Sequence, residues 1–242
     1  MSGLEFDAGR HRYVLDGERV PGVTMIIGKG LPKPGLPYWS ARVVAQAAVD
    51  EVEGLAARVE REGGVPVVTD LRRRPWRARD KAAVRGTDVH ALAEQVVHGR
   101  EVEVPGRLAS FVQAYVDLVD DLELEPVLTE ARLANRASWY AGTCDLVATI
   151  GDDLWLLDLK TSKSVHGSFA LQTAAYATAE FFVDTDGTEQ PMPHIDRMGV
   201  IHITPDGARL HEFPSISDAW EAFVAVKAVA DLIPTIDSWD MK

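Results

Sequence analysis

Apolar and polar positions follow two different periods along this chain, and the change comes near residue 125. Before it the period is mostly helical. Ser40 is placed to cap a helix running to about Glu62, which Gly63-Gly64 stops. Residues 65–71 read as a connector. A second helix is expected from about Pro75 through His90 to Val97, ending at Gly99. Leu108, Phe111, Val112, Tyr115, Val116 and Val119 recur at helical spacing and predict a third helix over 107–122. Ahead of these helices, Tyr13, Val14 and Leu15 form a short strand and Asp16-Gly17 a turn signal. The β-branched residues from Val20 to Ile27 then predict a returning strand, and 28–39 a Gly/Pro loop.

After residue 125 the alternation becomes two-fold. Strands are expected over 127–135, 139–150 and 153–159, the last two joined at Gly151-Asp152. A helix over 167–183, a polar loop over 184–193, strands over 198–203 and 208–213, and a final helix over 217–233 complete the reading. This order predicts an α/β (α+β) core, with a central mixed sheet flanked by helices and a helical N-terminal half. No linker demands two domains. The expectation is one domain over 1–242, with segments 1–70 (hairpin and first helix), 71–125 (basic helices) and 126–242 (β-β-β-α-β-β-α core).

Composition narrows the class. Apolar residues make up 46% and charged residues 26%, which excludes a mostly disordered or fibrous chain. No apolar run approaches the roughly 20 residues of a membrane span, and the start lacks the apolar region of a secretion signal. A single cysteine, Cys144, excludes an internal disulfide and a four-cysteine iron–sulfur cluster, so a reducing, cytoplasmic setting is expected. The net charge of −12 argues against nonspecific nucleic-acid binding by the whole surface. Yet Arg72 to Arg85 holds seven basic residues and one acid. Such a strip fits a polyanion held at one place, or a merely solvated helix face.

The candidate chemistry lies in YAGTCDLVATIGDDLWLLDLKTSK, residues 140–163. Strand alternation puts Asp158 and Lys160 on one face and the apolar Leu157 and Leu159 on the other. A charged pair closing so apolar a strand costs free energy unless it is compensated. An internal Asp–Lys ion pair is one explanation. A divalent metal held by Asp145 and Asp158, with Lys160 beside it, is the other, since hard oxygen ligands suit Mg²⁺ or Mn²⁺. Gln172 and Tyr176 fall on one face of the next helix. His90 could join the carboxylates as an imidazole ligand, although a lone helical histidine is more often structural.

In order, Gly86-x-x-x-His90, Gly142-x-x-Asp145, Asp158-x-Lys160 and Gln172-x-x-x-Tyr176 resemble the RecB-type branch of the PD-(D/E)XK nucleases. That branch includes phage-encoded and CRISPR-associated RecB-like exonucleases, and the resemblance spans more than half of the chain. The segment from Tyr13 to Thr24 also resembles the start of small actinobacteriophage proteins of this type. The resemblance implies a restriction-endonuclease-like core. It implies metal binding by His90, Asp145, Asp158 and the Leu159 carbonyl, with Lys160 positioning or helping to deprotonate the attacking water. Gln172 and Tyr176 would orient the DNA strand. Two departures stand out: the middle acid is aspartate rather than the commoner glutamate, and the four cluster cysteines of the CRISPR-associated members are missing.

Glu130, on the strand beside Asp145, is a secondary metal candidate or a surface glutamate. DNA contacts are expected from Arg72, Arg73, Arg74, Arg77, Arg79 and Arg85, from Trp76 by stacking on a base, and from Lys163. The expected function is a Mg²⁺- or Mn²⁺-dependent DNA exonuclease, in phage or bacterial recombination or DNA processing. The alternatives are a structure-specific or restriction-like endonuclease, a non-catalytic nucleic-acid-binding module, and a Mg²⁺ enzyme on a small phosphorylated substrate. The last lacks a Walker-type phosphate loop, since residues 28–35 do not match that pattern. Cleavage polarity, one metal ion or two, and a homo-oligomeric or recombination-protein partner stay open.

Overall fold

A computed structural model describes residues 3–10 and 12–239. The ends of the expected 1–242 span (1–2 and 240–242) and His11 lie outside the described residues. The chain divides into two compact units: residues up to Leu31 together with Asp88 onward, and an inserted stretch, Pro32–Thr87.

The larger unit opens with a small antiparallel sheet, β1 (Leu4–Asp7), β2 (Arg12–Leu15) and β3 (Glu18–Val20). Asp16 and Gly17 both take positive φ, 53° and 84°, which is the two-residue turn expected of Asp-Gly. The returning strand stops at Val20. Val23–Gly30 is a helix, α1, where a strand was expected. Pro21-Gly22 interrupts the ladder, and Val23, Ile26 and Ile27 then fall on one buried helical face. Tertiary burial outweighs β-branched propensity here.

The central sheet has seven strands in the order β10-β9-β6-β5-β4-β7-β8. Three long hairpin-connected strands form its middle: β4 (Glu125–Asn135), β5 (Tyr140–Ile150) and β6 (Asp153–Lys160). Helix α6 (Ser168–Ala177) follows. β7 (Phe181–Val183) and β8 (Glu189–Pro191) extend the sheet beyond β4. β9 (Arg197–Thr204) lies parallel to β6 and β10 (Gly207–Phe213) antiparallel to β9, before the last helix, α7 (Ile216–Asp237). The expected helix over 167–183 therefore ends early. Phe181-Phe182-Val183 pairs with the edge of β4, and part of the expected polar loop is β8. The architecture is a mixed α/β fold of the α+β kind.

The sheet buries both faces. One core joins Leu133, Cys144, Val147 and Leu156 to α1, α6 and α7. The other joins Leu146, Trp155, Leu157 and Leu159 to Phe111 and Tyr115 of α5 (Ala109–Asp121), and to Val89 and Ala93. Leu157 and Leu159 thus lie on the apolar face, as the alternation requires. Gly30 lets α1 approach α7, since a Cβ there would collide with the Val226 carbonyl.

The inserted unit is helical. The single helix expected up to Glu62 is two, α2 (Gly35–Asp50) and α3 (Val52–Glu62), broken at Glu51. Gly63, at φ 84°, stops α3 as expected. The expected connector is instead the start of α4 (Gly64–Val97), in which Pro75 is interior. Pro66 falls in the first turn, where a missing N–H leaves no bond unmade. Residues 64–87 of α4 belong to this unit and 88–97 to the larger one. Among the described residues no helix is long and apolar enough to cross a membrane.

Candidate functional site

The site forms where the central ladder comes apart. β5 and β6 pair from Ile150↔Asp153 to Leu146↔Leu157 and no further. One rung on, Asp145 faces Asp158 across a gap without backbone pairing. The Asp145 carboxylate fills part of that gap, its Oδ2 accepting a 2.7 Å hydrogen bond from the Leu159 amide. On the other side, β4 pairs with β5 at Thr129↔Leu146 and Ala131↔Cys144 but skips the rung of Glu130 and Asp145. Glu130 takes a left-handed φ of 46°, uncommon for a non-glycine residue. Three acidic residues on three adjacent strands thus meet at one irregular row, where like charges oppose one another.

His90 reaches this row from α4. Its Nδ1 lies 3.6 Å from Asp145 Oδ2. One ligand atom from each of His90, Glu130 and Asp145 falls within 4.8 Å of the others, close enough to share one cation. Glu130, the secondary candidate, is therefore beside His90 and Asp145. Partial loss of solvent, followed by the charges of Asp145, Glu94 and Asp158, pushes the Glu130 carboxyl up to about 7. Glu94 lines the same small cleft with His90 and Tyr115. It was missed in the sequence, although His90-x-x-x-Glu94 puts both on one helix face.

Asp158 anchors a second, adjoining group. It is 1% exposed. Gln172 Nε2 donates to its Oδ1 at 2.7 Å, and the Lys160 ammonium forms an ion pair with its Oδ2. That Oδ2 is buried, and the Lys160 ammonium is the partner it meets. Burial first, then the charge of Asp145, raises the Asp158 carboxyl, and Lys160 pulls it back. The ion pair and the site are thus the same feature. Lys160 also lies 5.1 Å above the Phe169 ring. Gln172 Nε2 reaches the Tyr176 hydroxyl at 3.4 Å, and Tyr176 itself is buried.

Gly142 has a physical reason to be glycine: a Cβ there would collide with the Tyr176 ring. Leu159, expected to offer its carbonyl, engages Asp145 through its amide. Buried Cys144 packs in the core.

The donor set fits a hard divalent cation. Carboxylates with one imidazole suit Mg²⁺ or, better, Mn²⁺. Two further acids beside a buried carboxylate that has one ammonium for a partner make a charge excess that a cation relieves.

The basic strip lies in the helical unit and splits in two. Arg74 and Arg77 are taken by Asp70, at 3.0 and 2.7 Å, and Arg74 also pairs with Glu51. Arg79 pairs with its neighbour Asp80. Arg72 and Arg73 are exposed and pair with no acid among the described residues, and Trp76 is exposed beside them. Arg85 is partly buried, and Lys163, in the larger unit, is exposed.

No family model matches the chain, and no curated protein matches it. Among solved structures, a crystal structure of SSO0001 overlaps 67% of this chain and 73% of its own length, at 15% identity and a TM-score of 0.28. An overlap that loose carries no argument about fold or function.

Proposed function

We propose that this protein is a metal-dependent DNA phosphodiester hydrolase with a restriction-endonuclease-like core, acting as an exonuclease in recombination or DNA processing. One observation carries the hydrolase reading. Asp145, Asp158 and Glu130 converge on an irregular row of the sheet, with His90 and Lys160 at its edge. A structural ion pair needs only Asp158 and Lys160. Asp145 is held by the Leu159 amide, but the charges of the second and third acids add repulsion that a bound cation would offset.

His90, Glu130 and Asp145, with Asp158 adjoining, would hold the metal. A divalent ion so held neutralises phosphodiester charge and lowers the pKa of bound water. Lys160 supplies a positive charge close to Asp158, at the place where negative charge develops on the phosphorus oxygens. Gln172 fixes the rotamer of Asp158, and Tyr176 packs behind Gln172. The Leu159 amide holds Asp145 in orientation. Exonuclease rather than endonuclease action rests on the resemblance of the four motifs alone.

Incubation of the purified chain with end-labelled linear DNA and with circular single-stranded DNA, in Mg²⁺, Mn²⁺ or EDTA, tests the reading. Metal-dependent loss of linear DNA with the circle intact is expected. Cutting of the circle makes the protein an endonuclease. No cleavage in either metal removes the hydrolase reading.

A further inference from the structure

The segment from Tyr13 to Thr24 packs against β5 close to the site. The Ala141 amide bonds the Pro21 carbonyl at 3.1 Å, and Gly22 bridges to Ala141. The Tyr13 hydroxyl meets Thr143 Oγ1 at 2.9 Å. These ties hold the segment to β5, a few residues before Asp145. They enclose a pocket of about 70 Å³ lined by Arg12, Arg19, Thr24, Gly142 and Tyr176, with no acidic residue among those lining it. Its floor is Tyr176, whose hydroxyl meets the Gln172 amide that also holds Asp158.

Arg12 and Arg19 share one face of neighbouring strands, since Val14 pairs with Arg19; it is the face opposite Tyr13 and Val20, so the two arginines line the pocket from its rim. Both are exposed and have no ion-pair partner among the described residues. Asp7, opposite Arg12 in register, is engaged by Arg10. Two cations with a threonine hydroxyl around so small a space match one phosphate group, and the pocket is too small for a nucleoside.

We propose that this pocket receives a backbone phosphate of the DNA strand near the phosphate that is cut, held by Arg12 and Arg19. The inference rests on the nuclease reading. It assigns strand positioning beside the site to this cationic pocket of the larger unit.

The test uses the full chain, an Arg12→Gln/Arg19→Gln variant, and an Arg42→Gln/Arg209→Gln control of equal charge. First, inorganic phosphate is titrated without metal while the arginine side-chain N–H resonances are followed. Saturable shifts are expected in the wild type and the control, with affinity at least about tenfold weaker in the Arg12/Arg19 variant. Second, linear oligonucleotides bearing one neutral methylphosphonate linkage are cleaved. One linkage is expected to raise KM in the wild type and to add nothing in the Arg12/Arg19 variant. That variant raises KM about tenfold on unmodified DNA and leaves kcat within about twofold.

Phosphate binding that is missing in the wild type, or equal in all three proteins, overturns the proposal. Losses that simply add at every linkage also overturn it. Phosphate binding lost in the variant of a protein that never cleaves DNA overturns the nuclease reading and DNA as the occupant, while the anion pocket stands.

Discussion

The inserted helical unit and the sheet unit each gather opposite charges, in opposite physical regimes. In the helical unit Asp70 takes hydrogen bonds from Arg58, Arg74 and Arg77, with Glu51 completing the cluster. These side chains keep part of their surface in water, where ion pairs contribute roughly 0–1 kcal/mol. Neither α2 nor α3 contains a fully buried residue. In the sheet unit Asp158 is buried, with one ammonium beside it and further acids around it. Desolvation makes that arrangement unfavourable on its own. Arginines paired at the surface therefore stabilise the helical unit itself, and the costly buried carboxylate marks the place proposed for the chemistry.

The sharpest way to break this contrast is to neutralise one acid in each region. Asp158→Asn keeps the shape and the contact with Gln172 while removing the charge. Cleavage of end-labelled DNA is expected to fall by about 10³-fold or more, with DNA affinity nearly unchanged. Asp70→Asn should leave the rate within about twofold. Equal effects of the two would dissolve the distinction.

Next in size is Gly142→Ala. The new Cβ meets the Tyr176 ring, and a packed interior resists such additions at about 1–3 kcal/mol. Urea unfolding should show that loss. Cleavage should fall too, because Tyr176 backs Gln172 and Gln172 orients Asp158. Stability lost with full activity would separate the ring from the site.

Much of the sheet region was readable from alternation. The hairpins at Asp16-Gly17 and Gly151-Asp152, the two faces of β6, and the Asp158–Lys160 pair all follow from a period of two and ordinary turn chemistry. Glu130 could only be ranked second. Its place beside His90 and Asp145 depends on a skipped rung and a left-handed φ, which leave no mark in the hydrophobic pattern. Local propensity misled at α1, where burial of Val23, Ile26 and Ile27 overrode a β-branched run. It misled again at β7, which borrows its pairing from a strand nearly fifty residues earlier. In the helical unit Pro75 signalled a helix start, although the helix passes through it. Of the strip's partners Glu51 was hidden, because its ion pair with Arg74 reaches from α4 to the start of α3.

A smaller effect sharpens the contrast within the strip itself. Arg72 and Arg73 are exposed and not paired with acids, so they are the members available to phosphates. Replacing both by glutamine should lower the slope of log affinity against log salt by up to about 1.5–2. Arg74→Gln with Arg77→Gln should change that slope less and lower stability by less than about 1 kcal/mol per pair. An identical slope in all variants would make the whole strip a solvated face.

The smallest expected effect isolates the charge on Asp70. Arg77, then Arg74 and Arg58, hold its carboxyl at about 2, below its ordinary 3.8. A depressed folded-state pKa means that the unfolded chain binds the proton first, so stability is lost as pH falls. The contribution is complete above about pH 4 and declines as pH drops towards 2. Many other carboxylates titrate over the same range, so an acid melt of the wild type alone decides nothing. The difference between wild type and Asp70→Asn does decide. Their unfolding midpoints should differ at pH 7, converge towards pH 2, and also approach each other in high salt, because the cluster is partly open to water. A difference that survived at pH 2 would mean that the shape of the aspartate, not its charge, joins α3 to α4 in this unit. The contrast with buried Asp158 would then rest on burial alone.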